Sequence, residues 1–387
     1  MTPPLVSFTD NLMGGLVTAL AFLSVLTVVV FVHEMGHFLV ARWCGVKVKA
    51  FSIGFGQEIW GFIDKHGTRW RIAWIPLGGY VKFMDDENAA SMPSQETIAG
   101  MTAEERAGSF HAKPVWQRAA VVAAGPLVNF LFAIVIFAIW AMVFGIHLVE
   151  PRVGDVTPDS PAARAGFKAG DLIQSIGGRK VTSFEDIQKI VTVNVGRSLD
   201  VTVDRSGTPV SMQVTPELKM LKDGNEPAQA RVVIGIVGPR GPQHVVSFNP
   251  NPFQAVWHGV ERTQFIITST LGYLGDFVMQ RQPGDQLGGP ARIADIAGKV
   301  AKKSPLDLIF LTAFISVSVG LINLFPIPLL DGGHLMFYAA EAALGRPLSE
   351  RTQEIGFRIG FAIVLTLMVF AFYNDRTIIR GMFSWLG

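Results

Sequence analysis

With 387 residues the chain has room for two or three compact units. A hydrophobic share of 49%, only 17% charged residues and a mean hydropathy of +0.37 suit a polytopic membrane protein better than a soluble domain. The net charge of +2 is too small for an electrostatic nucleic-acid binder, and the single cysteine, Cys44, excludes an internal disulfide or a thiolate metal cluster.

The first apolar run, Leu16 to about Ala41, carries no charge from Leu16 to Val32. A helix of about 20 apolar residues crosses ~30 Å of hydrocarbon, so this is the first expected span. No Lys or Arg precedes Arg42, so the run lacks the basic flank of a cleavable signal peptide and is expected to be retained. Near its end stands "HEMGH". His33 and His37, at i and i+4, share one helix face and can bind one metal ion, while Glu34 beside them can act as a base toward water. Five-residue matches of this kind also arise by chance in soluble helices. Ionisable groups in mid-span cost about 2.5–3.5 kcal/mol, however, and usually serve function. Catalytic zinc takes three protein ligands, so a third is expected from elsewhere in the chain.

Arg42, Lys47 and Lys49 follow this span, and the positive-inside rule puts the N-terminus outside and residues 42–114 in the cytoplasm. There "RWRIAWIPLGGYVKF", Arg69 to Phe83, partly alternates and is punctuated by Pro76 and Gly78-Gly79, as a hairpin or re-entrant loop would be. A second span is expected over Ala119 to Ile146, which has no formal charge. Its Gly125, Pro126 and Asn129 suit tight helix packing, with the amide able to bond across helices. Residues 147–305 then lie outside. From Glu150 to about Arg240, short β-like runs alternate with Gly, Pro and Asp turns. "SPAARAG" starts a short helix, "KAGDLI" turns into a strand, "GG" makes a hairpin and "SFEDIQKIV" gives a second helix. This order is similar to that of a bacterial PDZ domain, which binds extended peptides beside a strand edge. The alternative is a small αβ spacer without a ligand. Asn251 to Gln280 has a helical apolar stripe interrupted by His258, Glu261 and Arg262, which fits an amphipathic helix on the membrane better than a fifth span.

A third span is expected over Leu308 to Leu330 and a fourth over Ile359 to Tyr373, beginning near Ile355. Arg346 and Arg351 between them agree with the topology, whereas Lys299, Lys302 and Lys303 disagree. The third span ends in "NLFPIPLLDGGH". Asp331 is a candidate third ligand, with Asn323 upstream and His334 just after. Pro326 and Pro328 deny the backbone a regular helix, and Gly332 and Gly333 permit close approach. Irregular backbone at membrane depth is tolerated where protein encloses it or it lines a cavity. Otherwise "LLDGGH" is a span exit with a solvated turn.

Together "HEMGH", "NLFPIPLLDGG" and the inserted PDZ-like segment resemble the site-2 protease family, in its bacterial RseP type of intramembrane zinc metalloprotease. "FSIGFG", "IPLGGYVKF", "KPVWQRAAVVAAGPLVNF" and "LGGPARIA" extend the resemblance over nearly the whole chain. One difference is a single convincing PDZ copy where well-known members have two. The resemblance implies that His33, His37 and Asp331 bind zinc and that Glu34 is the general base. It implies that Asn323 contacts the substrate or its oxyanion and that His334 is not a ligand, so His334 is expected either to support the ligands from behind or to be structural. It also implies that the loop with Gly78, Gly79 and Tyr80 pairs with the substrate as an extended strand.

The expected fold is a polytopic α-helical membrane protein of about four transmembrane helices, with an inserted α+β PDZ-like domain and a membrane-associated β-hairpin or loop. The expected divisions are residues 1–146, 150–240, 250–305 and 306–387. The implied function is zinc-dependent cleavage in or near the transmembrane helix of single-span proteins in a bacterial inner membrane, with the PDZ-like domain periplasmic and screening substrates. Such partners would be pre-cleaved by another protease, like anti-sigma factors, or be remnant signal peptides. Two other readings use the same residues: a PDZ-bearing membrane scaffold with a structural metal, and a membrane-anchored metalloprotease acting on soluble peptides. An intact Glu34 speaks against the scaffold, since a structural site needs ligands and no base.

Overall fold

The computed structural model describes residues 4–85, 101–221, 229–279 and 288–383. Its elements run in chain order α1 (Pro4–Trp43), β1 (Val48–Ile63), β2 (Arg69–Phe83), α2 (Ala103–Gly108), α3 (Val115–Phe144), β3 (Ile146–Val149), β4 (Asp155–Val156), α4 (Pro161–Ala165), β5 (Leu172–Ile176), β6 (Arg179–Lys180), α5 (Phe184–Thr192), β7 (Leu199–Arg205), β8 (Thr208–Val214), β9 (Glu217–Leu221), β10 (Gln229–Val233), β11 (Ile236–Val237), β12 (Val245–Phe248), α6 (Pro252–Val278), α7 (Pro290–Lys303), α8 (Asp307–Asn323), α9 (Asp331–Leu344) and α10 (Glu350–Phe383). Two compact units result, one from Met1–Ile136 with Asp285–Gly387 and the other from Phe137–Gly284. The expected linker stretch 250–305 is therefore divided: α6 belongs to the inserted unit and α7 to the first. Residues 280–287, which include part of that stretch, the last residue of the expected amphipathic helix and the first residue of "LGGPARIA", lie outside the described residues.

Among the described residues three helices are long and apolar enough to cross a membrane: Met13–Trp43, Val115–Phe144 and Glu350–Arg376. The expected third span is different. Its helix, α8, covers only Asp307–Asn323, and residues 324–330 form a loop before α9 starts at Asp331. The two prolines account for this, since each lacks an N–H and crowds the carbonyl four residues back. The fourth is longer than the sequence suggested, because α10 begins at Glu350.

Small residues set the helix contacts. A Cβ on Gly36 of α1 would stand 2.5 Å from the Ala124 carbonyl oxygen of α3, so the two backbones touch. Gly320 of α8 also lies close on α3, where a Cβ would be 3.0 Å from the Pro126 oxygen. One turn earlier Ser316 donates its hydroxyl to the Asn129 carbonyl at 2.9 Å. Val25, Val29 and Ile315 form the buried α1–α8 seam.

The β1–β2 hairpin folds back on itself. Val48–Ile53 of β1 pairs on one side with Gly79–Phe83 and on the other with Arg69–Ile72, which also pairs with Trp60–Ile63. Two strands thus make four sheet segments. The reversals need left-handed backbone, supplied by Gly54, Gly56 and Gly78 at φ +88°, +90° and +137°. A core of Phe38, Phe51, Phe83, Phe110 and Val121 fixes the sheet to α1 and α3.

The inserted unit has a four-stranded antiparallel sheet in the order β6-β5-β7-β8 and two-stranded pairs β4–β11, β3–β12 and β9–β10. Its strands alternate, and their inward residues Ile173, Ile176, Val201, Val203 and Val214 meet Ile187 and Val191 of α5. Ser183 and Asp186 form a reciprocal cap at the start of α5. Asp171 is fully buried and held by two hydrogen bonds from Arg205, at 2.7 and 2.8 Å. Helix α6 does more than float on a surface. It buries Ala255, Gly259, Thr263 and Ile266, and its Arg262 reaches Glu185 of α5 at 3.2 Å, leaving Phe253, Val256, Trp257 and Leu271 exposed.

Candidate metal centre

The helical register of α1 sends both histidines of "HEMGH" to one side, where the start of α9 brings Asp331. His33 Nε2 and His37 Nε2 are 3.2 Å apart, and Asp331 Oδ2 is 3.1 Å from the first and 3.6 Å from the second. His33, His37 and Asp331 are the one group of metal-binding type found among the described residues. Zinc bonds of 2.0–2.1 Å in tetrahedral geometry imply ligand–ligand edges of about 3.3–3.4 Å, which the three observed distances bracket. Asp331 Oδ2 is moreover buried without a hydrogen bond. Three lone-pair atoms converging in a largely buried site can hold a cation, and two imidazoles with a carboxylate suit zinc.

The surroundings orient these ligands. His37 Nδ1 contacts the Val121 carbonyl at 2.9 Å, which can only be an N–H donating, so Nε2 keeps its lone pair. His33 Nδ1 lies 3.2 Å from the side-chain amide of Asn129, a fully buried residue of α3 whose Oδ1 has no hydrogen bond. A half-turn of that amide lets Oδ1 accept from His33 Nδ1–H and gives the orphaned oxygen its partner. Room for the rings comes from Gly125, where a Cβ would stand 2.5 Å from His37 Cε1 and 2.9 Å from His33 Cε1. In sequence, Gly125 and Asn129 read as packing residues of the second span. The signal of a larger role was an amide in a stretch without any charge, where a polar group is costly.

Glu34 points to the hairpin. A Cβ on Gly79 would be 3.2 Å from Glu34 Cγ and 2.8 Å from the Ser52 carbonyl oxygen, and the Val81 backbone amide donates to the Glu34 carboxylate. Of the expected loop residues, Gly79 therefore adjoins the site. Gly78 carries the left-handed turn beneath the Phe55 ring, and Tyr80 stacks on Phe55 at 6.1 Å with the Arg71 guanidinium 5.7 Å from its ring. Asn323 is the half-buried last residue of α8, and no contact of its side chain with the three ligands is found. His334 packs its ring against Phe357 at 5.5 Å, away from the ligand set.

Paired histidines with a glutamate between them, joined by a distant aspartate on apolar helices, define a metallohydrolase site in a membrane protein. The chain belongs to peptidase family M50, which it matches over residues 21–367, and is a zinc metalloprotease. It is 48% identical over 363 residues to the Mesorhizobium japonicum protein named "Putative zinc metalloprotease mll0638", covering 92% of this chain and 98% of that one. It is 41% identical over 393 residues to Metalloprotease MmpA of Caulobacter vibrioides, covering 94% and 96%. Among solved structures, the PDZ domain of the SdrC-like protein of Listeria monocytogenes aligns with 22% of this chain and 84% of its own. The identity there is 23% and the TM-score 0.18.

Proposed function

We propose that this protein hydrolyses peptide bonds within or beside the transmembrane helix of single-span membrane proteins. The observation that carries the reading is the convergence of His33, His37 and Asp331 on apolar helices with Glu34 next to them. His33, His37 and Asp331 hold the metal; Asn129 and the Val121 carbonyl fix the two imidazoles. Zinc bound there supplies a Lewis acid for the scissile carbonyl and lowers the pKa of water toward ~7. Glu34 takes the proton of the attacking water and passes it to the leaving amine.

A substrate helix hides its amides in i to i−4 hydrogen bonds and must be unwound before it can be cut. Segment Gly79–Phe83 supports that step, because among the described residues it pairs on one side only, with β1. A substrate strand added along its other edge would run past Gly79 and Val81, next to Glu34. Asn323 binds the substrate or its oxyanion in this scheme, as the family resemblance implies.

The basic residues after α1 favour a site near the cytoplasmic face of a bacterial inner membrane, with the inserted unit in the periplasm. The element order of that unit supports a PDZ-like role in screening substrates already trimmed outside the membrane, of the anti-sigma-factor or remnant-signal-peptide kind. The exposed Phe253, Val256 and Trp257 of α6 fit a membrane surface.

The decisive experiment pairs metal analysis with cleavage of a model single-span substrate in detergent or vesicles. Glu34→Gln is expected to keep wild-type zinc content and lose cleavage. Retained proteolysis in that variant would refute the mechanism.

A further inference from the structure

The loop 324–330, which delivers Asp331, is shaped by backbone contacts on two sides. Below it, Gly332 and Gly333 lie so close that a Cβ on either would overlap the carbonyl oxygens of Leu324, Phe325 or Ile327. Above it runs α10. There a Cβ on Gly360 would overlap the Pro328 carbonyl oxygen and stand 2.5 Å from its carbonyl carbon, a closer approach than at any other glycine described. One turn earlier a Cβ on Gly356 would be 2.7 Å from the Phe337 ring but 3.7 Å from Pro328 Cγ, so only a movable side chain is close. Phe357, next along the helix, packs on His334 at 5.5 Å and Phe337 at 5.8 Å and so ties α10 to α9. Between the two glycine contacts Leu329 is forced to φ +110°, a conformation that a branched residue keeps only when its surroundings over-determine it.

We propose that Gly360 is a positioning residue for zinc binding: α10 acts as a backstop whose bare backbone at this position sets the 324–330 loop and thereby Asp331 against His33 and His37. Two observations separate this role from ordinary helix packing. Gly360 meets the loop backbone rather than a neighbouring helix, and the affected carbonyl is three residues before a ligand. Backbone cannot swing aside as a side chain can, so a methyl group at 360 must displace the loop. Residues that orient metal ligands typically change metal affinity about 10- to 100-fold when altered.

The inference rests on Asp331 being a ligand, and the test keeps the two claims apart. Purified full-length Gly360→Ala, Gly356→Ala, Asp331→Ala and Leu365→Ala proteins are titrated with zinc against a chromophoric chelator, with helix content measured in parallel. Gly360→Ala is expected to lose about 10- to 100-fold in zinc affinity while its helix content stays as in wild type. Leu365→Ala, on the exposed side of the same helix, is expected to bind as wild type. Zinc affinity in Gly360→Ala equal to wild type, with affinity lost in Asp331→Ala, overturns the backstop alone. Wild-type affinity in Asp331→Ala overturns the ligand assignment beneath it. Gly356→Ala, whose methyl group meets only the movable Phe337 ring, is expected to bind as wild type, and a loss there as large as in Gly360→Ala overturns the backstop. Should Gly360→Ala not be recovered folded, Phe357→Leu, which removes the ring contacts tying α10 to α9, carries the test: it is expected to weaken zinc binding measurably, and wild-type affinity there overturns the proposal.

Discussion

Asn129 offers a direct perturbation of the metal centre from outside the ligand set. Its side chain is fully buried and lies 3.2 Å from His33 Nδ1, while its backbone carbonyl is independently held by Ser316 at 2.9 Å. Asn129→Leu keeps the shape and the backbone anchor but removes the polar group that, among the described residues, meets His33 Nδ1. That nitrogen is then buried without a partner, and the imidazole loses the hydrogen bond that makes Nε2 a better donor. Losses for such partners run to about 10- to 100-fold in metal affinity, or about 1.4–2.7 kcal/mol. Asn129→Asp is expected to move the other way, because a carboxylate raises the basicity of the ring it orients. Ser316→Ala serves as the control: it costs about 1 kcal/mol of stability and leaves zinc affinity unchanged. Competition against a chelator of known affinity reads all three variants. Zinc binding by Asn129→Leu as tight as wild type, with the protein folded, would show that Asn129 only packs.

Two further perturbations probe the hairpin and the inserted unit. Gly79→Ala drives a methyl group toward Ser52 and Glu34, so cleavage is expected to fall by about 10- to 100-fold in kcat at unchanged zinc content. A drop in zinc content instead would place the damage at the ligands. In the inserted unit, burial pushes the Asp171 carboxyl up, but the paired hydrogen bonds of Arg205 and the Lys168 amide outweigh it and hold it below the usual range. Because the folded value is depressed, this contribution is whole above about pH 4 and fades as pH falls through the folded value. Protection factors of the β5 and β7 amides, corrected for the intrinsic exchange rate at each pH, should therefore fall in acid. Arg205→Ala should lower stability at neutral pH and flatten the acid dependence, and an unchanged acid slope would sink the assignment.

What could be seen in the sequence was what depends on neighbours along the chain. "HEMGH" is legible because i, i+4 geometry is local to a helix, and the helix of α1 follows from its apolar run. The elements of the inserted unit are legible for the same reason, since caps, glycine turns and period-2 alternation are short-range signals. Asp331 was a candidate by its polarity in an apolar setting, and only the folded chain brings it within 3.1 Å of His33. The prolines announced a break in the third span without giving its position at Asn323.

The remaining features depend on where two distant backbones meet, which one sequence does not encode in any single window. A glycine in a span has the same letter whether it faces lipid, another helix or a loop. Gly125 makes room for the imidazoles, Gly36 admits α3, and Gly360 admits the loop that carries Asp331. The chemistry needs three donors within about one zinc bond length of a common point, and helix axes packed through large side chains would stand 8–10 Å apart. Polar groups alone therefore do not make this site. Backbones that approach without side chains between them bring the donors together, and for that reason the residues that matter around "HEMGH" are largely the ones that carry no chemistry of their own.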